Sequence, residues 1–256
     1  MAWEDAWPEL IDSWDPGTHM LIFGRTGTGK SHFALHVLDG RAADIADGGR
    51  EASVAIAETK ARDAVMRASG WPIIDSWPPT VEQRQQRRII VWPHYNRASE
   101  QAERVRPVFL NMLDEIMLEG GWTIYLDETN YFVENLNMRA TLDEFWQGGR
   151  SSEITVVAGS QRPVWVNRGM VSQAQWAVIF FTQDQRDRQT IGEILGSAKR
   201  FPPVIASLRK SRHECLVLRT DTGRGIITSV PAEQPRLELN RPEERWAKIR
   251  GLLRRQ

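Results

Sequence analysis

Only one cysteine, Cys215, occurs in 256 residues, so no disulfide can close within the chain, and its place in an apolar run assigns it to the core. No apolar stretch reaches the ~20 residues that span a bilayer, so no membrane partner is expected. The opening MAWEDAWPELIDSWD is acidic and lacks a basic segment followed by an apolar one. A secretory leader is therefore not expected, and a cytoplasmic location is. Net charge is absent too: 33 Lys and Arg balance 33 Asp and Glu, so any nucleic-acid surface must be local. The five histidines, His19, His32, His36, His94 and His213, show no metal-ligand spacing with one another or with Cys215. Internal repeats and low-complexity linkers are missing, which excludes solenoids and tethered modules.

What is present is a regular alternation. Short apolar runs predict strands at 19–23, 53–57, 89–92, 123–126 and 154–158, with a further apolar run at 176–181, and longer polar stretches of helical composition separate them. This is the βαβ pattern of an α/β fold with a mostly parallel central sheet flanked by helices. The helix after the first strand is predicted from Gly29 to Gly40. ECLVLRTDTGRGIITSV, from residue 214, reads as a hairpin around a Thr-Gly turn. RPEERWAKIRGLLRR reads as a terminal basic helix with Trp246, Ile249, Leu252 and Leu253 on one face. The expected organisation is one domain over 1–256: an N-terminal extension to residue 18, a core over 19–230, and the basic helix over 231–256.

GRTGTGKS carries the chemistry. Gly24, Arg25, Thr26, Gly27, Thr28, Gly29, Lys30 and Ser31 satisfy G-x-x-x-x-G-K-[ST] between a predicted strand and a predicted helix. Phosphates are wrapped there by backbone N–H groups, which is why glycine is needed, and the helix N-terminus adds positive potential. Lys30 would reach the β- and γ-phosphates and Ser31 would ligate Mg²⁺, so ATP with Mg²⁺ is the expected ligand pair. WTIYLDETN places Asp127 and Glu128 at the end of an apolar strand, Asp127 for the Mg²⁺ shell and Glu128 to polarise an attacking water. ITVVAGSQRP ends in Ser160-Gln161; in a parallel sheet Gln161 would lie beside the Asp127 strand end and sense the γ-phosphate.

Gly149-Arg150 followed after ten residues by Gln161-Arg162-Pro163 resembles the FtsK/HerA superfamily of DNA-translocating P-loop NTPases, of RecA-like ASCE architecture. The resemblance implies that Arg150 acts on the nucleotide of an adjacent subunit and that Gln161 is the sensor. SVAIAETK is similar to the superfamily strand ending in an acid and a lysine, here Glu58 and Lys60, with Thr59 in place of the common proline. RRIIVWP and the closing hairpin are similar as well, so the likeness covers about 19–230. A bare motor of this size is most like the genome-packaging ATPases of viruses. That implies a homo-oligomeric ring, a hexamer with a pentamer as alternative, acting on double-stranded DNA in the host cytoplasm at a capsid or portal vertex.

Other readings stand beside this one. Arg150 also fits a helix C-terminal cation and Gln161 a plain strand-end polar group. Arg84, Arg87, Arg88 and Arg139 are candidates for a DNA channel or for a solvated basic face. Trp3, Trp7 and Trp14, with Leu10 and Ile11, fit packing or a docking surface, and the terminal basic helix fits DNA contact or ordinary surface. The alternative function is an assembly ATPase like the zonula occludens toxin family, acting on a protein partner. A small-molecule kinase comes third.

Overall fold

Alternation along the strands divides the molecule. The computed structural model describes Trp3, Ala6 and residues 14–47, 53–94, 101–163 and 168–231. In β1 (His19–Phe23) every residue is buried, as a strand covered on both faces requires. Met20 and Ile22 enter one apolar core, Leu21 and Phe23 the other. The chain continues through α1 (Lys30–Asp47), β2 (Val54–Ala57), α2 (Ala64–Ala68), β3 (Ile73–Ile74), α3 (Val81–Gln85) and β4 (Arg88–Val91). Next come α4 (Gln101–Glu119), β5 (Thr123–Leu126), a π-helical turn (Tyr131–Asn135), α5 (Arg139–Gly148) and a 3-10 turn (Gly149–Ser152). After β6 (Thr155–Ser160), α6 (Arg168–Gln173) and β7 (Ala174–Phe180) come α7 (Gln185–Ile194), α8 (Phe201–Ser207) and a second 3-10 turn (Lys210–Arg212). The β8 (Glu214–Arg219) and β9 (Gly225–Ser229) hairpin closes the described chain.

All nine strands form one sheet in the order β3-β4-β2-β5-β6-β1-β7-β8-β9. It is parallel from β3 to β7, and the hairpin is added antiparallel. Because parallel strands all end on one edge, the segments that follow β1, β2, β5 and β6 converge there. One core packs Phe33, Val37 and Leu38 of α1 under the sheet; the other packs Phe109, Met112 and Leu113 of α4 with Phe145 and Trp146 of α5. Each such side chain, when fully buried, contributes about 1.5–3 kcal/mol. Cys215 is buried in the first core, as the sequence implied.

The structure differs from the sequence reading at several places. The helix of the glycine loop does not stop by Gly40 but runs to Asp47; Leu38 and Ala42 on either side of that glycine are buried, and this outweighs the ~1 kcal/mol that glycine costs inside a helix. β6 extends two residues past Ala158, to Ser160. β3 is an edge pair too short to leave a periodic trace. Trp14 is buried and the Trp3 ring meets Phe33 edge-on at 5.8 Å, so these two tryptophans pack. Trp7, Leu10, Ile11 and the terminal basic helix lie outside the described residues. Among those described, no helix is long and apolar enough to cross a membrane.

His19 is the polar member of β1. Its Nδ1 accepts the Val156 N–H at 3.0 Å, and its ring lies 4.7 Å from Trp146, edge-on. Burial lowers its pKa from 6.5 to about 4, with the Arg150 guanidinium pushing the same way. The folded state therefore binds fewer protons than the unfolded chain, so His19 adds stability above pH 6.5 that is lost as pH falls toward 4. An asparagine can keep the acceptor without titrating. Denaturant unfolding of wild type between pH 7 and pH 5 is expected to lose about 2 kcal/mol more than His19→Asn over the same interval. Equal losses would show that His19 is not the titrating group.

Candidate functional site

The loop between β1 and α1 is built for close approach. Gly27 and Gly29 have positive φ, +75° and +112°, a conformation that costs L residues with side chains but not glycine. At Gly29 an added Cβ would also stand 3.1 Å from Phe180 and 3.2 Å from His213. The Thr28 hydroxyl donates to the Arg25 carbonyl at 2.7 Å, the Gly24 N–H donates to the Ser160 carbonyl at 3.1 Å, and the Lys30 ammonium folds back on the Gly24 carbonyl at 2.6 Å. Burial lowers the Lys30 pKa, offset in part by the Asp127 and Glu128 carboxylates.

β6 stands between β1 and β5, and this places Gln161 between the loop and the Asp127-Glu128 pair. The Thr26 hydroxyl donates to Gln161 Oε1 at 3.3 Å, and the Gln161 N–H donates to Glu128 Oε1 at 3.4 Å. The strands approach so closely that a Cβ at Gly159 would lie 2.5 Å from the Asp127 carbonyl. Glu128 is half-buried, which raises its pKa, and its Oε2 is buried without a hydrogen-bond partner. Asp127 is buried, its Oδ1 accepting the Tyr125 hydroxyl at 2.9 Å.

A second group of charges completes this edge. From the end of β2, Lys60 extends its ammonium to 2.6 Å from Asp127 Oδ2 and 2.8 Å from Asp63 Oδ2. Asp63 also caps α2 through Val65 and Met66, and its Oδ2 lies 3.4 Å from the Ser31 hydroxyl. Glu58 is fully buried; one oxygen accepts the Lys60 backbone N–H at 2.7 Å and the other has no hydrogen-bond partner. Burial, then the neighbouring Asp127, pushes its pKa up to about 8. Burial alone would lower the Lys60 ammonium, but Asp127 and Glu58 hold it above its ordinary value.

Beside the loop lies a cavity of about 390 Å³, lined by Arg25, Thr26, Thr28, Gln161, Phe181, Gln183 and Lys210. That volume is in the range of small-ligand sites. The last three residues come from the segments after β7 and before β8. There His213 Nδ1 donates to the Thr28 carbonyl at 3.2 Å, tying the C-terminal hairpin to the glycine loop. Sequence reasoning gave Lys210 and His213 no part in the site, since only the closed sheet brings them within reach. Lys60 and Glu58 carried a family likeness but no place. Their shared strand end next to Asp127 follows from the strand order, which no local pattern reports.

Arg150 is apart from this group. It lies in the turn before β6, and a Cβ at Gly17, just before β1, would stand 3.0 Å from its Cα. The glycine loop is at the other end of β1, roughly 16 Å away at the usual rise of a strand. Arg150 is exposed. Three of the other four arginines singled out from sequence have acidic partners in this chain. Arg84 pairs with Glu115 and Glu119, Arg88 with Asp39 at 3.5 Å, and Arg139 with Glu134 at 2.5 Å. Arg87 sits in the turn into β4 with φ 56°.

No protein-family model matches the chain. Over 82 residues it is 38% identical to the DNA packaging ATPase P9 of Enterobacteria phage PRD1, a match covering 31% of this chain and 34% of that relative. The match thus spans about a third of the length of the curated relative. In structure the chain is similar to the genome packaging NTPase B204 of Sulfolobus turreted icosahedral virus 2 in complex with AMPPCP. The TM-score is 0.60 at 16% identity, over 86% of this chain and all of B204. It is also similar to the cytoplasmic domain of the type VII secretion ATPase EccC of Thermomonospora curvata, with a TM-score of 0.59 at 13% identity, over 87% of this chain and 27% of that one. The chain shares the fold of these packaging and secretion ATPases, and the likeness it carries in sequence is to a phage DNA packaging ATPase.

Proposed function

We propose that the chain hydrolyses ATP to drive double-stranded DNA into a viral capsid. The observation that carries this reading is the convergence on one sheet edge of the glycine loop, Asp127-Glu128 and Gln161, in a chain similar in sequence to a DNA packaging ATPase and in fold to a packaging NTPase bound to an ATP analogue. That likeness favours DNA over a protein partner as the thing moved.

The donor set fits Mg²⁺, which prefers oxygen ligands: Asp127 and the Ser31 hydroxyl would hold it, with Glu58 and Asp63 carboxylates nearby. When bound, the ion neutralises phosphate charge and orients the triphosphate. The rest is the work of the chain. Backbone N–H groups of residues 24–31 wrap the phosphates, and Lys30 exchanges the Gly24 carbonyl for phosphate oxygens. Glu128, with an unpartnered buried oxygen and a raised pKa, accepts a proton from the attacking water. Gln161 touches both Glu128 and Thr26, so a change at the γ-phosphate reaches β6. The cavity between Gln161 and Phe181, Gln183 and Lys210 leaves room for the nucleoside.

Arg150 reads as a contribution to the next copy's site, because it is too far from its own. A ring, hexameric by preference, follows from that, with DNA held along its axis by backbone contacts and without sequence preference. The place of action is the capsid vertex in the host cytoplasm.

Hydrolysis is expected to need Mg²⁺ and to rise on adding double-stranded DNA, and Glu128→Gln should bind ATP normally while losing roughly a hundredfold or more in turnover. Turnover indifferent to DNA at low and moderate salt would rule out the translocase. Mixing provides the second check. Arg150→Ala and Glu128→Gln are each expected to be inactive alone and to regain activity when mixed, since one mixed interface then holds an intact Glu128 and an intact Arg150. Absence of recovery, with co-assembly demonstrated, would remove Arg150 from the site.

A further inference from the structure

The end of β2 holds more negative charge than one metal carboxylate requires. Glu58, Asp63 and Asp127 each offer an oxygen, and the three lie within 4.8 Å of one another. Around an octahedral Mg²⁺ neighbouring oxygens are about 3 Å apart and opposite ones about 4 Å, so the three would draw closer to share one ion. At this point the protein has placed a cation of its own: the Lys60 ammonium, 2.6 Å from Asp127 and 2.8 Å from Asp63. A single positive charge does not satisfy the group. Glu58, 0% exposed, keeps an oxygen with no hydrogen-bond partner.

We propose that Lys60 is a resident counter-ion occupying a divalent-cation site made by Glu58, Asp63 and Asp127, and that it yields the site only when nucleotide arrives with its metal. Three features support the exchange. The Lys60 side chain is 31% exposed, so it can swing to solvent without opening the core. Its partner Asp63 lies 3.4 Å from Ser31, at the start of the helix that receives the phosphates, so arrival of a triphosphate is felt at the ion pair. And the acids are held from different segments: Glu58 and Asp63 on either side of Lys60, and Asp127 at the end of β5. Loss of the ammonium would therefore leave an assembled set of ligands. In the resting protein Lys60 keeps the site closed to free divalent ions, so that metal enters with its nucleotide. The inference rests on Asp127 being the metal carboxylate of the proposed ATP site.

The test needs neither nucleotide nor turnover. Free Mn²⁺ is followed by its paramagnetic resonance signal as it is titrated into the full chain. Wild type is expected to bind weakly, and Lys60→Met to bind roughly tenfold or more tightly, because a unit positive charge within a few ångströms has been removed. Adding Asp63→Asn to Lys60→Met should abolish the gain. Where unpaired acids keep Lys60→Met from folding, Lys60→Gln keeps a hydrogen-bond donor beside Asp127 and Asp63 without the charge, and it is likewise expected to bind more tightly than wild type. Equal affinities in wild type and the folded variants would overturn the proposal, as would tight binding by wild type alone. Wild-type ATP hydrolysis is measured separately: its absence would defeat the ATPase reading and leave the Mn²⁺ result standing on its own.

Discussion

Four carboxylates and two ammonium groups share one edge of the sheet, and they are not at rest there. Glu58 and Asp127 are fully buried and Lys30 nearly so, and removing such charges from water costs several kcal/mol per ion unless partners repay it. The repayment is incomplete: Glu58 and Glu128 each keep a buried oxygen without a hydrogen bond, and Lys30 spends its ammonium on a main-chain carbonyl. The apolar strands and helices behind this edge supply the stability that keeps it assembled. The same imbalance makes it receptive. A triphosphate with its metal brings the negative charge that Lys30 lacks and the positive charge that the acids lack.

How the acids came together shows what a sequence can and cannot report. Asp127-Glu128 was legible because a local pattern, an apolar strand ending in two acids, carries its own meaning. The glycine loop was legible for the same reason. Lys60 and Asp63 had no such signal, because their importance comes from β2 lying beside β5, a neighbour relation between segments 69 residues apart, Val54 opposite Thr123. Lys210 and His213 are remoter still, brought to the loop by β8 pairing with β7. The arginines differ in another way. Arg84, Arg88 and Arg139 read as candidates for a channel because their acidic partners, Glu115, Glu119, Asp39 and Glu134, come from other elements. Charge along a chain locates a surface only after the pairs have been subtracted.

The position of Arg150 has consequences for what the chain can do alone. A parallel sheet has two unlike ends, and β1 and β6 carry the loop and Gln161 on one, His19, Gly149 and Arg150 on the other. Within one chain these ends cannot meet. In a head-to-tail assembly they can, since such contacts join the front of one copy to the back of the next, and rings close when the rotation allows. His19 then matters beyond stability. Its buried neutral ring takes the Val156 N–H and lies directly under Gly149, fixing the turn that presents Arg150.

β6 links the two ends. At one end it receives the Arg150 turn, through the Ile154 N–H donating to the Gly149 carbonyl at 2.7 Å; at the other it delivers Gln161 to Glu128 and Thr26. Between them its residues are buried on both faces, and Gly159 admits no added atom against Asp127. A close-packed strand of this kind transmits displacement because it cannot absorb it. A movement of Gln161 would therefore be felt at the turn that carries Arg150. On the proposed reading the strand between the loop and the acids would be the mechanical element of the site, carrying a change at Gln161 to the Arg150 turn along a path of six residues.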